Sequence, residues 1–263
     1  MNYNYHTHTY RCHHATGKIE EYIQRAIDNG ITHMGFSDHF PYICTDGTEG
    51  EARVRVSEAY EYVSEIDALR KKYKNKIDIK IGFEMEYYPE FFEKMINDAI
   101  DYGAEYLILG EHYIQEESPN GIHTFEETCD EDFLSRYAEC VISAIKSGYF
   151  TYVAHPDGIR FTGDDFVYEK YVRKICKASK EYNIPLELNF LGIRDNRHYP
   201  NLKFWKIAGE EKCPVTFGFD AHTVKSAYNG KSLPKAKEIV EMFGLNYIGK
   251  PDIVLIQDKF NLR

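Results

Sequence analysis

Tyr106-Leu107-Ile108-Leu109-Gly110-Glu111-His112 carries the reading of the fold. Four apolar residues follow one another without alternation, as in a parallel strand covered on both faces. The run then breaks at a glycine and delivers a carboxylate and an imidazole. The same arrangement recurs outward in both directions. Candidate strands lie at 2–5, 31–36, 77–83, 105–110, 150–154, 185–190 and 214–219, with a further one at 252–256. Helical periodicity fills the intervals 18–29, 56–74, 90–102, 131–147, 166–182, 201–211 and 234–243. In 131–147, for example, Phe133, Leu134, Tyr137, Val141 and Ile145 share one face. Seven or eight βα units without a break in composition predict an α/β barrel, with a doubly wound open sheet as the competing architecture.

The composition is that of an ordinary globular chain of 263 residues, 43% hydrophobic and 28% charged, and one domain spanning 1–263 is expected. With 42 acidic against 32 basic side chains the net charge is −10, which argues against broad binding to nucleic acid or an anionic membrane. No apolar run reaches the length of a membrane span. The start, Met1-Asn2-Tyr3-Asn4-Tyr5-His6, has neither the basic nor the apolar region of a signal peptide. Six cysteines without a C-x-x-C pair fit reduced thiols and a cytoplasmic location. The basic cluster Lys71, Lys72, Lys74 and Lys76 complements the C-terminal dipole of its helix.

The chemistry lies at the C-terminal ends of the candidate strands, the end where α/β barrels build their active sites. Read in order, these ends give His6 and His8, Asp38 and His39, Glu84, Glu111 and His112, His155 and Asp157, Glu187 and Asn189, and Asp220 and His222. His-x-His on a strand sets two imidazoles on one face. Taken singly, each residue would read as a hydrogen-bonded core or rim side chain. Their shared position at successive strand ends points to a metal cluster. Nine candidate ligands are available: His6, His8, His14, His39, Glu84, His112, His155, Asp220 and His222. Three or four protein ligands serve one zinc, so nine suit two to three divalent ions with bridging carboxylates. An imidazole-rich set favours Zn, Mn or Fe over Mg or Ca. Such ions would draw an anionic substrate into an acidic protein.

Other templates fail on single residues. Gly35-Phe36-Ser37-Asp38-His39 lacks the last glycine of a nucleophile elbow, and Gly230-Lys231-Ser232 lacks the first glycine of a P-loop. No G-x-G-x-x-G follows the first strand. Cys12 and His13, beside His14, read as filler or surface. The long connections at about 40–55 and 113–129 are expected to shape the site.

His6-Thr7-His8, His14-Ala15, Ser37-Asp38-His39, Gly82-Phe83-Glu84, Gly110-Glu111-His112, Ala154-His155-Pro156-Asp157 and Phe219-Asp220-Ala221-His222 resemble the ordered motifs of the PHP (polymerase and histidinol phosphatase) superfamily. Within it the chain is most similar to the histidinol-phosphatase branch, through His6 to Gly17, Gly35 to Pro41 and Arg194 to Pro200. The resemblance implies a distorted (β/α)7 TIM-like barrel with its metal site at the C-terminal face of the strands. It implies a first ion on His6, His8, Glu84 and Asp220, and a second on Glu84, His112 and His155. A third would sit on His14, His39 and His222. The implied activity is hydrolysis of a small phosphate monoester, L-histidinol phosphate, in histidine biosynthesis, by a metal-activated hydroxide attacking phosphorus. Glu84, Asp220 and His39 are the implied catalytic residues, His39 also as a candidate leaving-group acid. Arg160 and Arg197 are candidate phosphate clamps, with Arg194 behind them. Glu111 departs from the family pattern, which places a neutral residue before the motif histidine. Three rivals remain: a phosphodiesterase or exonuclease of the same superfamily, an amidohydrolase-like deaminase, and a non-catalytic metal-binding module.

Overall fold

The computed structural model describes residues 1–117 and 121–260. Its main sheet has eight strands: β1 (Tyr3–Asn4), β2 (His33–His39), β3 (Asp78–Met85), β4 (Tyr106–Leu109), β6 (Phe150–Val153), β8 (Leu186–Asn189), β9 (Pro214–Gly218) and β10 (Asn246–Tyr247). They pair in that order and every pairing is parallel. A separate parallel pair joins β5 (Glu127–Thr128) to β7 (Arg160–Phe161).

The first seven strands of the main sheet curl into a distorted TIM-like barrel. The ring is closed beyond the ends of β1 and β9, where Thr7 bridges Ala221. His8 N donates to Ala221 O at 2.9 Å and Ala221 N to His6 O at 3.2 Å. At the other end β9 turns to β10, with Asn246 opposite Pro214.

Side-chain alternation along the strands builds two apolar layers. Leu107 and Leu109 face outward into the large cluster beneath the helices, which runs in sequence from Ile19 to Ile256. Tyr106 and Ile108 face the lumen, which Tyr3, Tyr5, Tyr152 and Ala154 fill with them. Tyr106 Oη donates to Tyr5 O at 2.8 Å, so the buried phenol is satisfied. The lumen is therefore a packed plug, and only its C-terminal mouth is polar.

The expected helices appear at Ile19–Asp28, Ala59–Tyr73, Phe92–Tyr102, Glu131–Ser147, Asp165–Tyr182, Leu202–Glu211 and Leu233–Phe243. Asp130 and Asp164 cap two of them, accepting from Asp132 N and from Phe166 N and Val167 N. Among the described residues no helix is long and apolar enough to cross a membrane.

Two expectations need correction. The apolar stretch 252–256 is not a strand. It crosses the barrel's N-terminal end, where Ile253 packs on the lumen plug, and a short helix, Ile256–Phe260, begins at its last residue. Val254 N donates to Thr151 Oγ1 and Ile256 N to Glu105 O. The eighth strand is instead β10, whose two residues are exposed and carry no apolar signal. The second strand also runs to His39 rather than 36, so Asp38 and His39 are held in the sheet. Of the connection at 113–129, residues 118–120 lie outside the described residues.

Candidate metal centre

Every strand end of the ring delivers a polar side chain to the mouth. Glu84, on β3, lies at the middle. Its carboxylate needs room, and Gly110, just past the end of β4, supplies it. A Cβ there would stand 2.1 Å from Glu84 Oε1.

Four ligand-type atoms face one another on the β1–β9 side. His6 Nε2 lies 3.1 Å from His8 Nε2, 3.4 Å from Glu84 Oε2 and 3.6 Å from Asp220 Oδ1. His8 Nε2 lies 3.4 Å from Glu84 Oε2 and 3.3 Å from Asp220 Oδ1. An ion with tetrahedral bonds of about 2.0–2.1 Å separates its ligands by about 3.3–3.4 Å, so these spacings fit zinc. Glu84 Oε2 and Asp220 Oδ1 are buried without a hydrogen-bond partner, a costly state for carboxylate oxygens unless a cation serves them. The far nitrogens of both rings point to carboxylates: His6 Nδ1 to Glu187 Oε1 at 2.8 Å, His8 Nδ1 to Asp38 Oδ1 at 3.3 Å. That leaves both Nε2 lone pairs directed at the same point, as metal-binding histidines are oriented.

On the other side of Glu84, Oε1 lies 2.8 Å from His155 Nε2 and 3.6 Å from His112 Nε2. His112 Nδ1 is 3.2 Å from Glu86 Oε1. His14, His39 and His222 form a third group, with ligand nitrogens within 4.8 Å of one another. His39 Nδ1 reaches Glu84 Oε2 at 3.3 Å. His14 Nδ1 donates to Cys12 O at 2.8 Å, which frees its Nε2. All nine side chains named from the sequence are thus gathered at one place, and their donor set suits two or three divalent ions.

The electrostatics follow from burial and crowding. Burial alone would raise Glu84 and Asp220, but the surrounding imidazoles, His6 foremost, hold both well below the usual carboxylate range. Burial would lower His6 and His8, yet their carboxylate partners drive both well upward. His222 is pushed down to about 4 by burial and by His8, and His14 and His39 are lowered by the same causes. Burial and crowding thus favour the neutral form of His14, His39 and His222, while His6 and His8 share their protons with the carboxylates around them.

Above these residues opens a cavity of about 410 Å³. Its walls include Arg53, Arg194, Arg197, Phe125 and Tyr199. Arg197 donates to Tyr199 Oη at 3.1 Å. Arg160 is not in the wall: its guanidinium sits 3.0 Å from Glu127, half-exposed, on the β5–β7 pair. Glu111 joins none of the clusters. Its Oε2 accepts from Tyr87 N at 2.9 Å, and burial pushes its carboxyl well upward.

The sequence reading overlooked Glu86 and Arg53. Arg53 is buried in the 40–55 connection, donates to Phe40 O at 2.8 Å and Glu117 Oε2 at 2.6 Å, and reaches Glu86 at 3.4 Å. Glu84-x-Glu86 on one strand end was the available signal, since strand alternation sends both carboxylates the same way. Nothing in the sequence marks Arg53.

Comparison with known proteins agrees with this architecture. The PHP domain family model matches residues 4–190. A probable histidinol-phosphatase of Deinococcus radiodurans is 28% identical over 228 residues, covering 82% of this chain and 85% of the relative. The histidinol-phosphatase of Bacillus subtilis is 27% identical over 249 residues, covering 82% and 92%. Among solved structures, a histidinol phosphate phosphatase from Lactococcus lactis, complexed with zinc, L-histidinol and phosphate, superimposes with a TM-score of 0.70. It is 19% identical and the match covers 95% of this chain and 98% of that one. A second, a putative histidinol phosphatase from Listeria monocytogenes, superimposes with a TM-score of 0.68 at 20% identity, covering 88% of this chain and 99% of that one. With the matched segment running from the first strand to the end of the sixth barrel strand and carrying seven of the nine clustered side chains, the chain belongs to the PHP domain family.

Proposed function

We propose that this protein is a metal-dependent phosphomonoesterase that hydrolyses L-histidinol phosphate to L-histidinol and phosphate in histidine biosynthesis. The observation that carries the reading is the nine-residue His/Glu/Asp cluster on the floor of an arginine-walled cavity. The relatives from Deinococcus radiodurans and Bacillus subtilis, named probable histidinol-phosphatase and histidinol-phosphatase and matched over most of their length, support the choice of substrate.

Two to three ions would be held, as zinc, manganese or iron. His6, His8, Glu84 and Asp220 would hold one, Glu84, His112 and His155 another, and His14, His39 and His222 the third. When bound, divalent ions of this kind lower the pKa of water and neutralise charge on phosphoryl oxygens. The remaining work falls to the chain. Glu84 offers one oxygen to each side and ties the groups into a unit. Arg197 clamps the phosphate through its planar guanidinium, which the Tyr199 hydroxyl holds in place. Arg160 joins the clamp by leaving Glu127, an exposed pair of a kind worth about 0–1 kcal/mol. His39 is held neutral by burial and neighbouring imidazoles, so it acts as a ligand rather than as the leaving-group acid. Phe125 and Tyr199 narrow the mouth and shed water from the substrate.

Two subsidiary assignments belong to the same proposal. The chain acts as one domain, since its larger core cluster spans Ile19 to Ile256. It acts in the cytoplasm, which its free cysteines support.

Elemental analysis paired with phosphate release tests the proposal. L-Histidinol phosphate should be the preferred substrate over other monoesters, a bis-aryl phosphate and single-stranded DNA, with two to three metal equivalents bound. Faster cleavage of DNA or of the diester would replace the reading with the nuclease alternative.

A further inference from the structure

Glu187, on β8, is fully buried and belongs to none of the three ligand groups. Three donors converge on it. His6 Nδ1 meets Oε1 at 2.8 Å, while His155 N at 3.1 Å and Asn189 Nδ2 at 2.8 Å meet Oε2. Asn189 Nδ2 also donates to Asp220 Oδ2 at 3.1 Å. One carboxylate and its neighbouring amide therefore touch a residue of the second group, His155, and two of the first, His6 and Asp220. His155 and Asp220 are also strained, with φ of 29° and 49°. Non-glycine residues persist in that region only where their surroundings over-determine them. Space for the carboxylate is reserved on the next strand: a Cβ at Gly218 would lie 1.7 Å from Glu187 Oε1.

We propose that Glu187, with Asn189, is a positioning residue that anchors ligands of two metal groups at once and so couples their occupancy. The proposal rests on the reading of the cluster as a metal centre. Chemistry makes the position specific to a carboxylate. A glutamine has one acceptor oxygen and one NH2, so one of the converging donors would face another donor. Fixing the far nitrogen of a ligating histidine orients the ring and raises its basicity, and losing such a partner costs 10- to 100-fold in metal affinity.

Zinc titration of the full chain against a competing chelator tests this, with elemental analysis as a second readout. In Glu187→Gln two zinc ions should weaken together by about 10- to 100-fold. The ion on His14, His39 and His222 should keep its affinity. General destabilisation would weaken all three ions alike, and that result would overturn the proposal, as would unchanged affinity or weakening of a single ion. Asn189→Ser keeps an oxygen to cap the helix at Phe190–Asp195 while removing the amide donors, and serves if Glu187→Gln does not fold. It should weaken the same two ions, by less; affinities equal to wild type would overturn the shared anchor. A wild-type protein that takes up no zinc, manganese or iron would instead defeat the functional reading on which the anchor depends.

Discussion

Adding one methyl group at Gly110 should disrupt the centre without replacing any of its side chains. Gly110 lies past the end of β4, and an alanine Cβ there would stand 2.1 Å from Glu84 Oε1 and 2.5 Å from its Cδ and Cγ. Ordinary contact begins near 3.4 Å, so the carboxylate must retreat by about 1 Å or more. It cannot retreat freely. Its two oxygens lie among His6, His8 and His39 on one side and His155 and His112 on the other. Overpacking of this kind typically costs about 1–3 kcal/mol, a fall in Tm of several degrees for a chain of this size. The larger effect should be functional, because a displacement of about 1 Å in a catalytic constellation can cost about 100-fold in rate. The assay is a three-way comparison of Gly110→Ala with wild type: thermal melt, bound metal and phosphate release. The expected result is a folded protein with at least one metal equivalent lost and kcat reduced about 100-fold. Wild-type metal content with a rate within threefold of wild type would refute the placement of Glu84 at the middle of the cluster.

Glu84→Gln should cost at least one metal equivalent and most of the activity while leaving far-UV dichroism unchanged; elemental analysis and phosphate release check both. Arg197→Ala should raise KM about tenfold or more with metal content intact, the scale of a lost charge-assisted hydrogen bond, and Arg160→Ala should raise it less, because Arg160 must first leave Glu127; steady-state kinetics at fixed metal separate the two. Asp157 gives a pH signature. Burial pushes its carboxyl up to about 6, although Asn201 N and Trp205 Nε1 both donate to it at 2.7 Å. The folded state thus holds a proton that the unfolded chain releases near pH 4, so stability falls as pH rises from about 4 to about 6, by about 3 kcal/mol. Asp157→Asn should flatten that part of the stability profile in melts between pH 4 and 7, and an unchanged profile would count against a protonated Asp157.

The barrel was legible because short β-rich runs, the wholly apolar β4 among them, alternate with amphipathic helices through the whole chain. Strand order and the convergence of His6, Glu84, His155 and Asp220 then follow from parallel βα connectivity. The misreading at 252–256 has a physical cause: Ile253 and Ile256 are apolar because they seal the barrel's lower end, and burial there needs no ladder. Conversely, Asn246 and Tyr247 pair at a sheet edge where both are exposed. The arginines were hard for a different reason. Whether a loop guanidinium faces the cavity depends on loop conformation, so Arg53 lines the cavity without a signal in the sequence while Arg160 lies outside its wall, beside Glu127. Glu111, the departure from the family pattern, turns its side chain to Tyr87 N and away from the clusters, which its position at a strand end does not announce.

The seam at Thr7 and Ala221 has a bearing on biogenesis. The residues on either side of that bridge, His6 and His8 on one strand and Asp220 and His222 on the other, are roughly 210 residues apart, a long loop to close by chance encounter. A nascent chain on the ribosome carries six of the seven barrel strands before β9, the strand that closes the ring against the first, emerges. The ring and its polar mouth are therefore completed together and late, and a polypeptide stalled before Asp220 would expose the open edge of its first strand, paired only with β2, to chaperones and proteases.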